Sequence, residues 1–534
     1  MDTISRRDLL AGAAGLALTS AIGGTASGQA ARTPKRGGTL VGSWGGFEPQ
    51  ALFVPPGGGS SPNMTSTKVL ERLIRLDEDL QFRPVLALSV TPAADFRSYT
   101  IKLRPNVKWH DGADFTADDV VFNAMDYWKP ISSGGALNAL VSAEAVDKET
   151  VVLKFNATVP DFFLKSILAG RTVTIPKHIY AGKEMMTNPA NNLPIGTGPF
   201  KVREWVRGSH VEYVRNENYW DPQLPYVDKL VIRWWRDPAS RSAAFEAGQL
   251  DFAVFNPIPA PDVKRLVDTR RFTAVTEGYK NTAWALTTYF NTQREIFKRA
   301  DVRRALLHAV DREFISDTIY FGRAKPATGH IPSSNSLFYF KDLPTYSFDP
   351  DKAGKLLDAA GYPIRNGSRF TMNIVSAGWF EENVKAGQYL RQAFEDIGIK
   401  VDLAIPDRAT SLKRIYTDYE FDMAISNNSG PLELAPQWTQ SYTTSGIVKG
   451  AAFRNASRYS NPALDKLVDQ YLVETDPKKR QALAREFQLI LATEAPVTSL
   501  VEIVSATVAR SDVRVAANYA DVLGESWAHI WLDR

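Results

Sequence analysis

The side chains able to do bond-breaking chemistry are few, and their spacing does not suit it. The chain of 534 residues has no cysteine, which removes thiolate nucleophiles, thiolate metal ligands, disulfides and a cysteine-anchored lipid. Its six histidines, His110, His178, His210, His308, His330 and His529, never fall in the i, i+4 pairing of a helical zinc site, so no metal centre is expected. There is no Gly-x-x-x-x-Gly-Lys-Ser/Thr loop, Gly-x-Ser-x-Gly elbow or Gly-x-Gly-x-x-Gly turn; Gly196-Thr197-Gly198 is followed by Pro199-Phe200 and opens a strand. Nucleotide and α/β-hydrolase chemistry lose their warrants, and no cofactor is expected. Two acid pairs, Asp118-Asp119 and Glu381-Glu382, raise the question of a glycosidase, which needs carboxylates about 5 to 9 Å apart across a cleft. Thr116-Ala117-Asp118-Asp119 fits a capping box instead, in which Thr116 and Asp119 satisfy the first free amides of a helix. His110, in Trp109-His110-Asp111-Gly112, fits a hydrogen-bonded turn residue better than an acid–base group.

Recognition is the chemistry that remains. Of twelve tryptophans, Trp44 follows the first strand, with Phe47 close behind; Trp379 and Phe380 follow a strand near residue 370, and Trp438 lies beyond Asn428. Flat rings at such places suit stacking on sugars, cyclic groups or peptide side chains. Trp205, Trp220, Trp234 and Trp235 are expected in the core.

These groups need elements to position them. Alternation at Tyr99, Ile101 and Leu103, and again at Val151, Leu153 and Phe155, predicts half-buried strands. Val302, Ala305, Leu306, Ala309, Val310 and Phe314 form one helical stripe with Asp301 as its cap, and Asp349-Pro350 and Asp476-Pro477 open two further helices. Phe370 to Ser376, Glu381 to Ile397 and Val401 to Ile405 spell strand, helix, strand, with Phe421 to Ser426 as a further strand; Lys229 to Trp235, Pro238 to Ala247 and Leu250 to Phe255 spell a second crossover. Two α/β cores are implied. Ligands collect beyond the carboxyl ends of such strands, which selects Ser376 to Phe380, Pro406 to Arg408, Asn427 to Ser429 and Asn256. The ligand-binding set expected is therefore Trp44, Phe47, Asn256, Trp379, Phe380, Asn427, Asn428, Ser429 and Trp438.

Composition agrees with a folded, multidomain protein: 44% apolar and 23% charged residues, with 63 Lys and Arg against 59 Asp and Glu. A net charge of +4 without basic runs gives no support to nucleic-acid binding. Residues 1 to 30 look like an export signal. Arg6 and Arg7 precede an apolar run from Leu9 to Ile22, too short to span a bilayer, and Ser5-Arg6-Arg7-Asp8-Leu9-Leu10 resembles a twin-arginine signal. A soluble periplasmic protein without a lipid anchor is expected.

The stretch from Tyr99 to Trp128, YTIKLRPNVKWHDGADFTADDVVFNAMDYW, is similar to the hallmark segment of family 5 extracellular solute-binding proteins, the dipeptide- and oligopeptide-binding group of ABC importers. Gly196 to Phe200 with Asn216 to Trp220, Tyr289-Phe290-Asn291-Thr292, Asp301 to Leu306 and Asp349 to Tyr362 also match, so the resemblance covers nearly all of residues 37 to 510. It implies a two-lobed α/β periplasmic binding protein (type II, cluster C-like) with an extra inserted subdomain. Lobe I would comprise 31–75, 199–283 and 498–534, the inserted subdomain 76–198, and lobe II 284–497. It also implies a monomer with no enzymatic step, which captures a small-molecule solute and delivers it to permease subunits in the inner membrane, powered by separate ATPase subunits.

One departure bears on the solute. In the family's peptide binders, a Trp-x-Gly-Asp-like loop follows the strand corresponding to Phe421 to Ser426, and its aspartate pairs with the peptide's α-ammonium group. Here Asn428 stands at the tryptophan position and Pro431 at the aspartate position. Burying an unpaired ammonium costs several kcal/mol, so Asn427, Asn428 and Ser429 point to a neutral inventory suited to sugar hydroxyls, amides or a modified peptide, unless Glu433 supplies the missing charge. The expected function is capture of a small polar organic solute (peptide-like, modified peptide or oligosaccharide) for an ABC importer. Competing classes are a periplasmic hydrolase of peptides or glycosides and a chemoreceptor or chaperone binding module.

Overall fold

Buried β-branched runs separated by an amphipathic helix pack as a crossover, with the helix covering one face of two parallel strands. The computed structural model describes residues 33–44, 47–54, 60–131, 136–170, 172–235, 237–430, 432–515 and 519–534; the export signal expected at 1–30 lies outside them. Thr371–Ser376 and Lys400–Ala404 pair in parallel, with Ile374 opposite Leu403. Helix Glu381–Glu395 joins them and buries Leu390 and Phe394. Met423–Gly430 runs parallel on the other side of Thr371–Ser376 and antiparallel to Ala283–Phe290. The six-stranded order is Ala324–Pro326, Val497–Ile503, Ala283–Phe290, Met423–Gly430, Thr371–Ser376, Lys400–Ala404. Val497–Ile503 is thus part of this sheet, its backbone satisfied by strands on both sides. The return to the first lobe expected at 498 is corrected: the chain re-enters the other sheet with Thr507–Arg510.

That other sheet has seven strands, in the order Phe272–Val275, Thr507–Arg510, Phe252–Val254, Thr39–Trp44, Lys229–Arg233, His210–Arg215, Phe200–Val206. The crossover through helix Pro238–Glu246, capped by Asp237 on Ser240 N at 2.8 Å, links Lys229–Arg233 to Phe252–Val254. Thr39–Trp44 lies between these two strands and is parallel to both. A third, antiparallel sheet holds Ala87–Pro92, Ser98–Leu103, Thr150–Phe155 and Leu140–Asp147. Its expected alternation is real, since Tyr99, Ile101, Leu103, Val151, Leu153 and Phe155 are all buried while Lys102 is exposed.

Local start signals fare unevenly. Asp349 caps Pro350–Ala359 through Lys352 N, and Asp476 caps Pro477–Glu494 through Lys478 N and Lys479 N. The Asp301 cap does not form: Arg299 is the N-cap of Ala300–His308, and Asp301 sits in the first turn, paired with Arg299 at 2.5 Å. The stripe expected to reach Phe314 breaks after Ala309. A new turn starts at Arg312, capped by Asp311, which leaves Phe314 stacked on Tyr389 and 41% exposed. Trp205, Trp220, Trp234 and Trp235, expected in the core, are half-buried.

The Gly-Thr-Gly motif has a packing explanation. A Cβ on Gly196 or Gly198 would collide with the Val69 carbonyl oxygen, which accepts from Gly198 N at 2.8 Å; only glycine allows that approach. Between them, the Thr197 hydroxyl donates to Glu71 Oε2 at 2.8 Å, while Tyr219 OH and Trp220 Nε1 donate to the same carboxylate at 2.7 and 3.0 Å. Asn216 Nδ2 donates to the Gly198 carbonyl at 3.0 Å, and His110 Nε2 lies 2.9 Å from the same oxygen. Burial lowers His110 to about 4, so it stays neutral as a turn residue. Asp119 accepts from Thr116 N at 3.0 Å and Lys177 N at 3.0 Å, the structural role its capping-box context implies.

Burial raises the Glu71 carboxyl to about 7 against the donors Tyr219, Thr197 and Trp220 and the Arg104 charge, all of which favour ionisation. Because the folded value lies above that of the unfolded chain, its stabilising contribution is complete below about pH 4.5 and is lost as pH rises through about 7. The span is worth about 3 kcal/mol at 1.36 kcal/mol per unit. Urea unfolding of Glu71→Gln from pH 4.5 to 8 is expected to show a flatter stability profile than the parent; an unchanged slope would contradict the assignment.

Candidate functional site: a cleft between two sheets

The chain passes between the two large sheets twice, after Phe272–Val275 toward Ala283–Phe290 and after Val497–Ile503 toward Thr507–Arg510. At this crossing the strand Phe252–Val254 ends in two left-handed residues, Phe255 (φ 64°) and Asn256 (φ 49°). Asparagine tolerates that region, while phenylalanine must be held there. The clamps are visible. Tyr279 OH accepts from Phe255 N at 2.9 Å and lies 2.8 Å from Thr507 Oγ1; Asn256 N donates to the Ala506 carbonyl at 3.2 Å, and Asn256 Oδ1 accepts from Ala506 N at 3.0 Å.

The kink turns Phe255 and Asn256 into a cavity of about 110 Å³ whose other walls come from the six-stranded sheet and its helices: Trp284, Tyr320, Arg323, Phe380, Glu382 and Asn427, with Ser505 at the crossing. A series of edge-on rings spans it, Phe255 to Trp284 at 5.0 Å and Trp284 to Phe380 at 5.7 Å between centroids. Among its polar groups, the Tyr320 hydroxyl and Asn427 Oδ1 are buried neighbours that have no partner other than each other. Burial and the neighbouring Glu382 carboxylate push the Tyr320 phenol well above its ordinary value, so it stays protonated. Burial lowers Arg323 from its ordinary value, with Tyr279 working in the opposite direction.

Of the expected ligand set, Asn256, Phe380 and Asn427 come together at this cavity. The others do not line it, for identifiable reasons. Asn427, Asn428 and Ser429 are strand residues rather than a loop, paired with Leu286, Ala285 and Trp284. Successive side chains on a strand face opposite ways, so Asn428 turns away, donating to Tyr442 OH at 3.2 Å and accepting from Gln437 Nε2 at 2.8 Å. Ser429 is exposed, and its carbonyl accepts from Gln437. Trp438 is 1% exposed and stacked on Phe487 at 3.8 Å, which makes it a core residue. Trp44 is buried with its ring 6.5 Å from Phe255, behind the wall. Phe47 is 61% exposed, and Trp379 is half-buried with the Arg408 guanidinium 6.0 Å from its ring.

Pro431 lies outside the described residues. Glu433 is not free to replace the missing aspartate: it is 4% exposed and accepts from Arg480 at 2.9 and 3.1 Å. Sequence reasoning missed Phe255, Trp284, Tyr320, Arg323 and Ser505. Glu382 was visible as half of an acid pair, but nothing in its spacing shows that a helix start faces the cleft.

A model of the bacterial extracellular solute-binding proteins, family 5 Middle, matches residues 81–449. The chain belongs to this family. The glutathione-binding protein GsiB of Escherichia coli is 27% identical over 455 residues, covering 80% of this chain and 82% of GsiB. Among solved structures, the oligopeptide-binding protein AppA from Bacillus subtilis, in complex with a nonapeptide, superposes with a TM-score of 0.78 at 24% identity, over 94% of this chain and 100% of that one. AgaA from A. tumefaciens R10, in complex with agropinic acid, gives 0.77 at 22% identity, over 93% and 99%. This solute-binding protein therefore has the two-lobed α/β fold of its family, with the cavity at the junction of the lobes.

Removing one member of a buried ion pair leaves the other uncompensated, at a cost of about 3–5 kcal/mol. Glu433→Ala is expected to lose stability on that scale in denaturant unfolding while keeping its affinity for solute. Loss of solute binding with stability intact would return Glu433 to the site.

Proposed function

We propose that this family 5 protein is the solute-capturing component of an ABC importer, holding a small polar organic solute between its lobes for transfer to a permease. The observation that carries this reading is the composition of the cavity wall. Phe255 and Asn256 come from the end of one sheet and Trp284, Phe380 and Asn427 from the other, so a bound solute touches both lobes only when they are together. Its binding free energy then biases the closed population, which a solute bound equally by both forms could not do.

The protein acts without changing its cargo. The cavity wall offers one carboxylate, Glu382, and one serine, Ser505, whose hydroxyl lies 3.4 Å from Asn256 Nδ2; no histidine among the described residues lines it to activate that serine. Residues 1–30 serve as a twin-arginine export signal, and the mature protein works in the periplasm as a monomer. Among the described residues no helix is long and apolar enough to cross a membrane.

A solute that binds only the folded form is expected to stabilise it by about 2.7 kcal/mol at one hundred times Kd, and the same solute should reduce the radius of gyration in solution scattering. Unchanged scattering with a saturating solute, or recovery of that solute in cleaved form, would defeat the capture reading. Replacing Arg6 and Arg7 together by lysine is expected to keep the protein out of the periplasmic fraction; undiminished export would remove the twin-arginine assignment alone.

A further inference from the structure

A second, smaller cavity lies away from the cleft, in the lobe of the six-stranded sheet. Its wall includes Arg312, Thr328 and His330 beyond strand Ala324–Pro326, Tyr346, and Thr498 and Ser499 of Val497–Ile503. At about 20 Å³ it has room for one water-sized occupant and none for a tetrahedral oxyanion. Two polar atoms on this wall, Arg312 Nε and Thr328 Oγ1, are buried without a hydrogen-bond partner. The guanidinium is otherwise fixed: Arg312 Nη1 donates to the Ala327 carbonyl at 2.8 Å, and Ala327 N donates to the Leu500 carbonyl at 3.0 Å. The remaining groups are occupied. Tyr346 OH donates to the Ala492 carbonyl at 2.6 Å, and the Ser499 hydroxyl lies 3.5 Å from Thr287 Oγ1. His330 is 9% exposed with the Val497 backbone as its hydrogen-bonding neighbour, and burial lowers it to about 4, so the ring is neutral.

Nothing negative answers the Arg312 charge. Among the described residues no carboxylate forms an ion pair with it, and its electrostatic neighbour is the Tyr346 phenol. Arg72 and Arg414 also keep a buried Nε without a hydrogen bond, but each has a carboxylate in reach, Asp521 at 4.0 Å and Glu420 at 3.8 Å. Burial lowers Arg312 to about 10, which leaves it charged at neutral pH. A water molecule could accept from Arg312 Nε and Thr328 Oγ1 but would leave the charge uncompensated. A monatomic anion accepts from both and neutralises it, and an unbalanced charge held away from water is costly. We propose that this cavity binds a halide ion, chloride, which accepts from Arg312 Nε and Thr328 Oγ1 and fastens residues 312 to 328 against Val497–Ile503. The fastened segment carries Tyr320 and Arg323 to the wall of the cleft. Halide binding here is independent of the capture reading.

The test uses the whole protein, dialysed free of halide. Its melting temperature is followed while sodium gluconate is exchanged for sodium chloride at constant ionic strength. A saturable rise of about 1–3 °C is expected, and sodium bromide should reproduce it. In Arg312→Gln the rise should vanish, and Thr328→Val should need about 10-fold more chloride to reach it, as loss of one hydrogen bond to a charged group implies. In crystals grown with sodium bromide, anomalous scattering should place one ion between Arg312 Nε and Thr328 Oγ1. Should Arg312→Gln fail to fold, the Thr328→Val titration and the bromide map of the parent still decide. The proposal is overturned if chloride and gluconate give the same melting temperature, if both variants keep the parent's chloride response, or if the cavity holds water with no anomalous signal. A bromide peak without a chloride response in solution would mean an adventitious ion only, and would overturn it equally.

Discussion

The two-way hydrogen bond between Asn256 and Ala506 is the constraint on which the site depends. It joins the end of a strand in one lobe to the segment by which the chain crosses from the other lobe, and it holds two successive residues in left-handed backbone. Released from it and from Tyr279, Phe255 would relax toward an extended conformation, because a bulky side chain pays for that region. The ring series from Phe255 through Trp284 to Phe380 would then lose its first member. The cavity wall is therefore set by the segments that cross between the two sheets.

The motif residues that reveal the family have a different job. Gly196, Thr197, Gly198, Asn216, Tyr219 and Trp220 converge on Val69 and Glu71 and do not line the cleft. Their chemistry is that of a buried carboxyl surrounded by donors and a backbone approach that excludes a Cβ. Such residues fix how the segment 196–220 packs against Val69 and Glu71. The residues that line the cavity carry no motif and lie at the N-terminus of one helix, beyond the end of one strand, within another and in a short turn before a third.

Much of the architecture was legible because periodicity reports burial. The strand–helix–strand order from 371 to 404, the Asp-Pro caps at 349 and 476, and the alternation at 99–103 and 151–155 all appear as the pattern requires. The misses have physical causes. Asp301 lost its capping role to a neighbouring arginine that pairs with it. Val497–Ile503 joined the later sheet because its ladder partners lie there, a choice between two sheets that local sequence does not encode. Asn428 and Ser429 were expected in a loop, but pairing with Ala285 and Trp284 carries the strand on to Gly430 and turns the Asn428 side chain away from the cavity.

The two α/β cores, the family and the lack of a thiol could be read from the chain alone, because composition, periodicity and the close-packed motif act over short stretches of it. Which charged groups line the cavity emerged only on folding. Arg323, Glu382 and Asn427 are far apart in sequence and meet at one cavity because the turn before Ala324–Pro326, the start of helix Glu381–Glu395 and the interior of strand Met423–Gly430 come together there. Likewise, the locking of Glu433 onto Arg480 depends on a helix that begins more than forty positions later. Which side chains pair is a property of the assembled interior, to which distant segments contribute.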